Sequence, residues 1–383
     1  MGDIKKIYLD YNATTPVDRR VLEAMLPYFT EHFGNASSTA HAYGWDAEEA
    51  VDVARHQVAG LIGTGPAGIT FTSGATEAIY MALVGVMQAY RDKGDHLITC
   101  RTEHRAVLDT CEYLERQGKK VTYLDVDSEG AIDLAELQAA ISDRTVMVCL
   151  MAANNETGVL HPLADISRIT GRHDILLMTD ATQAVGKVPF DVKGAGVDIA
   201  AFSAHKLYGP KGVGALYLRR KPGVKTARVL TGGGQEKGLR PGTLNVPAIV
   251  GFGKACELCH EEMQAEGIRL QGLRDRLEKG LLEVPGSQVN GAGSPRLAHV
   301  SNMSFAGREG DKLLRSLKHI AVSQGSACTS NTVEPSHVLE AMGLPAETAL
   351  ASLRISLGRY TTEQDIGAAI RDIISSTEKV VTL

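Results

Sequence analysis

Short apolar runs alternate with helical patterns along most of the chain, and this alternation predicts the fold. Two of the strand-like runs are followed at once by apolar residues at helical spacing, beginning at about Thr76 and His104. Such βα alternation is typical of a mostly parallel sheet that carries helices on both faces. The strand-like runs lie at residues 69–72, 96–99, 145–151, 175–179 and 197–202. The pattern therefore predicts an α/β protein built on a mostly parallel sheet.

Polar clusters stand at the carboxyl ends of these predicted strands. In open parallel sheets, ligands gather beyond the carboxyl ends of the strands. We therefore expect one binding site to be assembled from several separate segments of the chain. The clusters occupy residues 73–76, 103–104, 154–156, 180–183 and 203–206.

The pattern changes from about Lys254 onward, which predicts a second, smaller domain. A long charged helical pattern is followed by a Gly-, Ser- and Pro-rich connection at 285–295. Shorter predicted elements then follow, with strands near 299–305 and 353–356, helices near 311–318 and from about 363, and a loop at 324–331. We predict a large domain of residues 15–253. Residues 1–14 and 254–383 are expected to form a smaller α+β domain.

Composition and charge exclude several classes of function. The chain has 383 residues, of which 44% are hydrophobic and 22% charged, as in ordinary globular proteins. A formal net charge of −5 argues against a dominant nucleic-acid-binding surface. The start of the chain lacks the apolar stretch of a signal peptide, and the apolar run at 146–153 is too short to span a bilayer. We expect a cytoplasmic protein with no membrane or direct nucleic-acid partner.

Six cysteines are spread along the chain. In a reducing compartment we expect no structural disulfides. Cys256 and Cys259 have the spacing of a redox or metal pair, but they lie within a helical pattern and no second pair of ligands completes a zinc set. We interpret them as two small residues on one helix face and predict no metal site.

Lys206 is the most informative residue for function, because it lies just beyond the apolar run at 197–202. A charged lysine without a partner is costly to bury. Such a placement suits an amine that is kept partly neutral and can form a Schiff base. Small and hydroxylated neighbours, with a glycine turn behind them, suit a phosphate-bearing partner. Together these features point to pyridoxal 5′-phosphate (PLP).

Two residues near the end of the preceding strand could hold the ring of such a cofactor. Asp180 could accept the pyridinium proton and keep the ring cationic, which makes the ring an electron sink. Gln183 could hydrogen-bond the phenolic oxygen of the ring. The alternative for Asp180 is an ordinary helix N-cap.

The segment Gly74-Ala75-Thr76 opens a helix after a strand. Its N–H groups and the Thr76 hydroxyl would form an anion site at the positive end of the helix, to which Ser203 and His205 could add phosphate contacts. Taken alone, the segment also matches a common capping pattern.

Three further residues carry candidate chemistry. His104 follows a strand and could stack on a cofactor ring or relay protons. Arg354 lies among apolar neighbours, where its forked donors could bind a substrate carboxylate; the alternative is a structural ion pair. Cys328 lies in a small, polar segment that resembles a mobile loop presenting a reachable thiol, and the alternative is an incidental cysteine.

Motifs along nearly the whole chain match a known family. Their most specific part is Gly-Ser-Ala-Cys at 325–328, whereas Ser-x-His-Lys at 203–206 is shared by related PLP enzymes. The other matching segments lie at 8–16, 34–38, 71–77, 102–104, 154–158, 179–183, 232–236, 240–243 and 353–359. On these motifs the chain resembles cysteine desulfurases of the NifS/IscS type, which are class V aminotransferase-like enzymes. The resemblance implies the fold-type I PLP-dependent transferase fold, with a mostly parallel seven-stranded sheet in the large domain.

The resemblance also implies a role for each candidate residue. Lys206 would carry the cofactor and move the Cα proton, and Cys328 would take sulfur from L-cysteine as a persulfide and leave L-alanine. Thr243 would reach the phosphate of the partner subunit in a homodimer. The ring contacts would be Asp180, Gln183, His104 and Asn155, the phosphate contacts Ala75, Thr76, Ser203 and His205, and the substrate contacts Arg354 and Asn35.

Several alternatives remain open on the sequence. Selenocysteine lyase and aminotransferase reactions use the same cofactor, and a non-catalytic sulfur-assembly partner could retain the fold. The sulfur acceptor is expected to be a protein, with an iron–sulfur scaffold favoured. Acceptors for tRNA thiolation and for nitrogenase maturation fit the sequence as well.

Overall fold

The computed structural model describes residues 6–220, 222–324 and 334–380. Its strands are β1 (Ile7–Tyr8), β2 (Ile69–Thr72), β3 (His96–Cys100), β4 (Lys120–Leu124), β5 (Thr145–Cys149), β6 (Leu176–Asp180), β7 (Ile199–Ser203), β8 (Gly214–Leu218), β9 (Ser287–Val289), β10 (Val300–Phe305), β11 (Ile320–Ala321) and β12 (Ser352–Ser356). Its helices are α1 (Arg19–Met25), α2 (Pro27–Thr30), α3 (Ala42–Leu61), α4 (Ala75–Ala89), α5 (Arg105–Arg116), α6 (Leu134–Ala140), α7 (Leu163–Arg172), α8 (Val246–Leu281), α9 (Gly310–Ser316), α10 (His337–Ala341), α11 (Ala346–Leu350) and α12 (Glu363–Lys379). Short 3-10 turns lie at Pro66–Gly68, Ala204–Lys206 and Gln235–Gly238.

A seven-stranded sheet in the order β2-β8-β7-β6-β5-β3-β4 forms the centre of the molecule. The strands from β7 through β6, β5 and β3 to β4 pair in parallel, and β8 is antiparallel to both of its neighbours. The predicted α/β fold with a mostly parallel seven-stranded sheet is thus confirmed. Because only β8 runs the other way, β2, β3, β5, β6 and β7 all end at one edge of the sheet.

Apolar side chains cover both faces of this sheet, because successive residues of a strand point to opposite sides. On β7, Ala200 and Phe202 join one hydrophobic cluster, whereas Ile199 and Ala201 join the other. Such two-sided burial explains why the central strands form nearly continuous apolar runs. The Phe202 ring packs edge-on against Phe252 of α8, with 5.7 Å between the ring centroids.

A second, antiparallel sheet in the order β12-β10-β9 lies over its own apolar cluster. The first residues of the chain contribute to this cluster through Ile7 and Leu9, and β1 pairs in parallel with β11. Helix α8 contributes to both cores, with Phe252 in the cluster of the large sheet and Leu273 in that of the small one. The boundary predicted after residue 253 falls inside this continuous helix.

Five strands were not expected from the sequence, of which β1 and β11 are two residues long and pair with each other. The edge strand β4 is only partly buried and alternates weakly, so its apolar signal is low. Strand β8 follows the Lys206 segment after a short turn and inserts between β2 and β7. The order of the strands along the chain does not predict this position in the sheet. Strand β9 lies within the Gly- and Pro-rich connection, where only pairing with β10 makes it a strand.

Within the described ranges, no helix combines the length and apolarity needed to cross a membrane. Among the same residues, no group of three or more His, Cys, Asp or Glu side chains could hold a metal ion. All of the cysteines in these ranges are buried, free thiols, and they include Cys256 and Cys259 of α8.

We expect Phe202→Ala to destabilise the protein by about 3–5 kcal/mol, because the substitution leaves a cavity between β7 and α8. Thermal unfolding followed by calorimetry measures the loss as a lower midpoint. The control is Val53→Ala on the solvent side of α3, where the side chain is 52% exposed and the cost should stay within ~0.5 kcal/mol. Equal midpoints for the two variants would contradict this account of the core.

Candidate active site

Asp180 and Ser203 end the neighbouring strands β6 and β7, where Asp180 lies opposite Ala201. Both side chains are buried, with 6% of Asp180 and 4% of Ser203 exposed. One carboxylate oxygen of Asp180 accepts the N–H of Thr182 at 2.9 Å. A buried carboxylate thus lies one strand away from the segment that carries Lys206.

Lys206 ends the 3-10 turn that follows β7. Its amine donates to the backbone carbonyls of Asn12 at 2.5 Å and Ala13 at 2.8 Å. The pKa of Lys206 is lowered from 10.5 to about 8, mainly by burial and secondly by the positive charge of Arg354. Asp180 acts in the opposite direction, since a negative charge favours the protonated amine. About a tenth of this amine is therefore neutral at pH 7, far more than in a lysine of ordinary pKa.

Asn12 joins the elements around Lys206, although it was not among the predicted site residues. The side chain is 1% exposed. Its carbonyl oxygen also accepts from Gln183 Nε2 at 3.1 Å, and its Nδ2 donates to the backbone carbonyl of Asn155 at 2.9 Å. Its Oδ1 lies 3.0 Å from Nε2 of His299, a residue just before β10. The only signal in the sequence was that Asn12 belongs to one of the matching motifs.

Arg354 lies on β12 and is held from two sides. One terminal nitrogen donates to Asp10 Oδ1 at 2.8 Å, and the other donates to the Asn155 carbonyl at 3.3 Å. Its buried Nε has no hydrogen-bond partner among the residues that the structure describes. A buried N–H without an acceptor is costly, so a guanidinium placed in this way favours an added anionic group. Asp10 was not among the predicted site residues, although it too lies in a matching motif.

The N-terminus of α4 faces the end of β7. Ala75 is the first helical residue, and Thr76 is exposed in the first turn. A Cβ added at Gly74 would lie 3.7 Å from Ser203 Oγ, and one added at Gly214 would lie 2.7 Å from the Gly74 Cα. The start of β8 approaches the start of α4 this closely only because position 214 is glycine, whereas a Cβ at position 74 would make an ordinary contact. Free N–H groups at the helix start and the Ser203 hydroxyl therefore meet in one place, which suits an anion.

His205 belongs to the same turn as Lys206 and is neutral at physiological pH. Burial, followed by the charges of Lys206 and Lys211, lowers its pKa to about 4. Its Nδ1 lies 3.1 Å from Thr14 Oγ1. A neutral imidazole can offer one N–H donor to an anion without carrying a charge.

His104 is the N-cap of α5, and its ring is exposed. Its Nδ1 accepts the N–H of Ala106 at 3.1 Å. In the neutral ring this contact places the proton on Nε2, which remains available.

Four of the predicted site residues are not joined to this group by described contacts, and one of them is His104, whose ring bonds within its own helix. Thr243 is exposed in the segment between Gln235–Gly238 and α8. Asn35 is exposed, and its side chain accepts the N–H of Ser37 at 2.9 Å. Cys328 lies outside the described residues.

Comparison with known proteins assigns a family to this arrangement. The model of the aminotransferase class-V family matches residues 7–368. The chain belongs to the class-V aminotransferase family.

Individual relatives agree with this assignment. A cysteine desulfurase IscS of Anaeromyxobacter sp. (strain Fw109-5) is 54% identical over 377 residues, covering 98% of this chain and 93% of the relative. The solved structure of a NifS-like protein has a TM-score of 0.91 and 39% identity, covering 98% of this chain and all of the other. A structure of SspA in complex with cysteine has a TM-score of 0.82 and 36% identity, covering 93% of this chain and 100% of the SspA chain. The resemblance to NifS/IscS-type cysteine desulfurases is thus confirmed.

Class V aminotransferases depend on PLP, and so does this chain. The described residues fit the cofactor on three structural points. A buried lysine with a lowered pKa is present, a buried carboxylate lies on the neighbouring strand, and an open helix N-terminus lies beside the Ser203 hydroxyl. Lys206 could bind the aldehyde, Asp180 the ring nitrogen, and the start of α4 the phosphate.

We expect the rate of PLP attachment to cofactor-free protein to rise with pH and to level off above a midpoint near 8, because only the neutral Lys206 amine attacks an aldehyde. Arg354→Gln should move this midpoint to higher pH, since it removes a positive charge that lowers the lysine pKa. The measurement is the time course of cofactor absorbance at a series of pH values. Arg116→Gln on the exposed side of α5 is the control, and a midpoint near 10 for the parent protein would contradict the assignment.

Proposed function

We propose that this protein is a PLP-dependent L-cysteine desulfurase that converts L-cysteine to L-alanine and passes the sulfur to acceptor proteins. One observation carries the proposal: the N-terminal segment holds both the Lys206 amine and the Arg354 guanidinium, whose Nε lacks an acceptor among the described residues, in a chain about half identical to cysteine desulfurases. The likeness to SspA in complex with cysteine supports the same substrate.

Arg354 would bind the carboxylate of the amino-acid substrate. The ion pair with Asp10 and the contact with the Asn155 carbonyl orient the guanidinium while leaving Nε without an acceptor. A charge-assisted hydrogen bond from this Nε to the substrate carboxylate would fix the position of that carboxylate. We assign Asn35 a weaker, secondary part in the same recognition.

The bound cofactor supplies an electron sink for the bond that breaks at Cα. Lys206 takes the proton from Cα, a task that its lowered pKa suits because the amine must be neutral to accept it. Asp180, Gln183, His104 and Asn155 would hold the ring. The phosphate would be bound by Ala75, Thr76, Ser203 and His205.

Cys328 acts as the nucleophile in this proposal. Its thiolate attacks the sulfur of the bound cysteine and forms an S–S bond, while the C–S bond of the substrate breaks. The electrons of that bond remain with the carbon, which takes up a proton, so that alanine leaves and a persulfide remains on Cys328. A cysteine must be a thiolate for this step.

The partners follow from the same proposal. The persulfide sulfur would pass to a protein acceptor, with an iron–sulfur scaffold favoured because the relatives are IscS proteins. A homodimer would allow Thr243 to reach the phosphate in the other subunit. We place the protein in the cytoplasm, since the cysteines that the structure describes are all free thiols, as expected in a reducing compartment.

We expect Cys328→Ala to abolish alanine and sulfide release from L-cysteine without changing the absorbance of bound PLP. The cofactor and the substrate carboxylate are held by other residues, so binding should survive the loss of the nucleophile. Labelled cysteine sulfur should appear on the parent protein and on the control Cys111→Ala, but not on Cys328→Ala. Unchanged turnover by Cys328→Ala would overturn the nucleophile assignment, and formation of a keto acid would favour an aminotransferase.

We expect Lys206→Ala and Thr243→Ala chains to restore activity when they are mixed, provided that Thr243 acts across the dimer. Half of the sites in the mixed dimer would then contain an intact Lys206 and an intact Thr243 from the partner. Each variant alone should have little activity at limiting PLP. The measurement is alanine formation after refolding or subunit exchange, and a mixture no more active than its components would exclude action across the dimer.

A further inference from the structure

The residue two positions after Lys206 is held in an unusual conformation. Tyr208 has φ +65°, the left-handed region that bulky residues rarely adopt. Its N–H donates to Thr15 Oγ1 at 2.9 Å, and its carbonyl accepts the N–H of Asp18 at 3.0 Å. Thr15 in turn donates its N–H to the His205 carbonyl at 3.0 Å. The turn that carries Lys206 is therefore bound on both sides to residues 15–18.

Two cations lie over the ring of Tyr208. Lys187 Nζ is 4.5 Å from the ring centroid, and the Arg359 guanidinium carbon is 4.3 Å from it. The ring is 1% exposed, so these contacts are shielded from water. Cation–π attraction is stronger at desolvated sites than at exposed ones.

The Tyr208 hydroxyl connects the ring to Glu266 and to the backbone of Arg359. It donates to Glu266 Oε1 at 3.1 Å and accepts the Arg359 N–H at 2.6 Å. Arg359 also pairs with Asp18 at 2.6 Å and with Glu266 at 3.0 Å. Arg359 follows β12, so this network joins the Lys206 turn to the strand that carries Arg354.

Lys187 is the unexplained member of this group. Its amine is buried and has no hydrogen-bond partner among the described residues, although the residue as a whole is partly exposed. Lysines normally extend their amines into water, since an unpaired buried ammonium group is costly. Here the direction is reversed, and the amine is directed at the Tyr208 ring.

We propose that Lys187 and Tyr208 are positioning residues for Lys206, and that the Lys187–Tyr208–Arg359 cluster fixes the lysine turn relative to Arg354. The proposal rests on the proposed function, because it assigns these residues to the proton transfer that Lys206 performs. A misplaced lysine would slow proton transfer, whereas Arg354 keeps its own contacts with Asp10 and Asn155. The effect should therefore appear in kcat much more than in KM.

The test compares Lys187→Met, which removes the charge at similar length, with Lys187→Arg, which retains a cation. The control is Lys193→Met, an exposed lysine six positions later on the same segment. We expect Lys187→Met to lower kcat about tenfold, equivalent to ~1.4 kcal/mol, with KM for cysteine within about threefold of the parent. The visible circular dichroism of bound PLP should change as well, and Lys187→Arg should recover most of both signals.

Two outcomes overturn the proposal. One is that Lys187→Met behaves like Lys193→Met in kcat and in circular dichroism. The other is that Lys187→Arg and Lys187→Met lose activity and thermal stability equally, which indicates a purely structural role.

Tyr208→Phe provides a second variant if Lys187→Met does not fold. It keeps the ring and the cations but loses the hydroxyl contacts with Glu266 and the Arg359 N–H. We expect a lower kcat with little change in KM, and parent-like kcat and circular dichroism would again overturn the proposal. If the parent protein does not desulfurate cysteine, the proposed function fails, whereas the PLP attachment rate and the circular dichroism still test the positioning of Lys206.

Discussion

The burial of one amine against the backbone of a distant segment is the constraint on which this site depends. Lys206 Nζ donates to the carbonyls of Asn12 and Ala13, and the loss of solvent lowers its pKa to about 8. A lysine on a solvated surface loop would remain protonated near pH 7. The fold thus provides a reactive amine by removing water. The nearby Asp180 carboxylate limits how far the Lys206 pKa falls.

The N-terminal segment holds two functional cations in a fixed relation. Its residue Asp10 pairs with Arg354, and Asn12 accepts from Lys206. Ile7 and Leu9 of the same segment pack in the apolar cluster of the small sheet, whereas Thr15 binds the turn after β7 of the large one. Because this contact network spans both sheets, Arg354 can bind the substrate carboxylate while Lys206 reaches the Cα proton.

Much of this arrangement could be predicted from local patterns. Apolar runs located β2, β3, β5, β6 and β7, and parallel topology then implied that their polar ends would meet. Asn12 and Asp10 escaped notice because an isolated polar residue in an extended segment has no local pattern. Their importance arises from partners more than a hundred residues away, such as Lys206 and Arg354. Strand β8 was not predicted for a related reason, since its place in the sheet depends on pairing with β2 and β7, which are distant from each other in the chain.

The sequence by itself determined the chemistry of this protein, because side-chain identity at strand ends and in motifs defines which groups are present. It therefore predicted the α/β class, the PLP lysine and the carboxylate beside it. Only the tertiary structure decided the state of those groups. Burial makes the Lys206 amine partly neutral and His205 neutral, and long-range contacts direct the Lys187 amine at the ring of Tyr208. Desolvation and distance depend on the packing of remote segments, which local sequence does not encode.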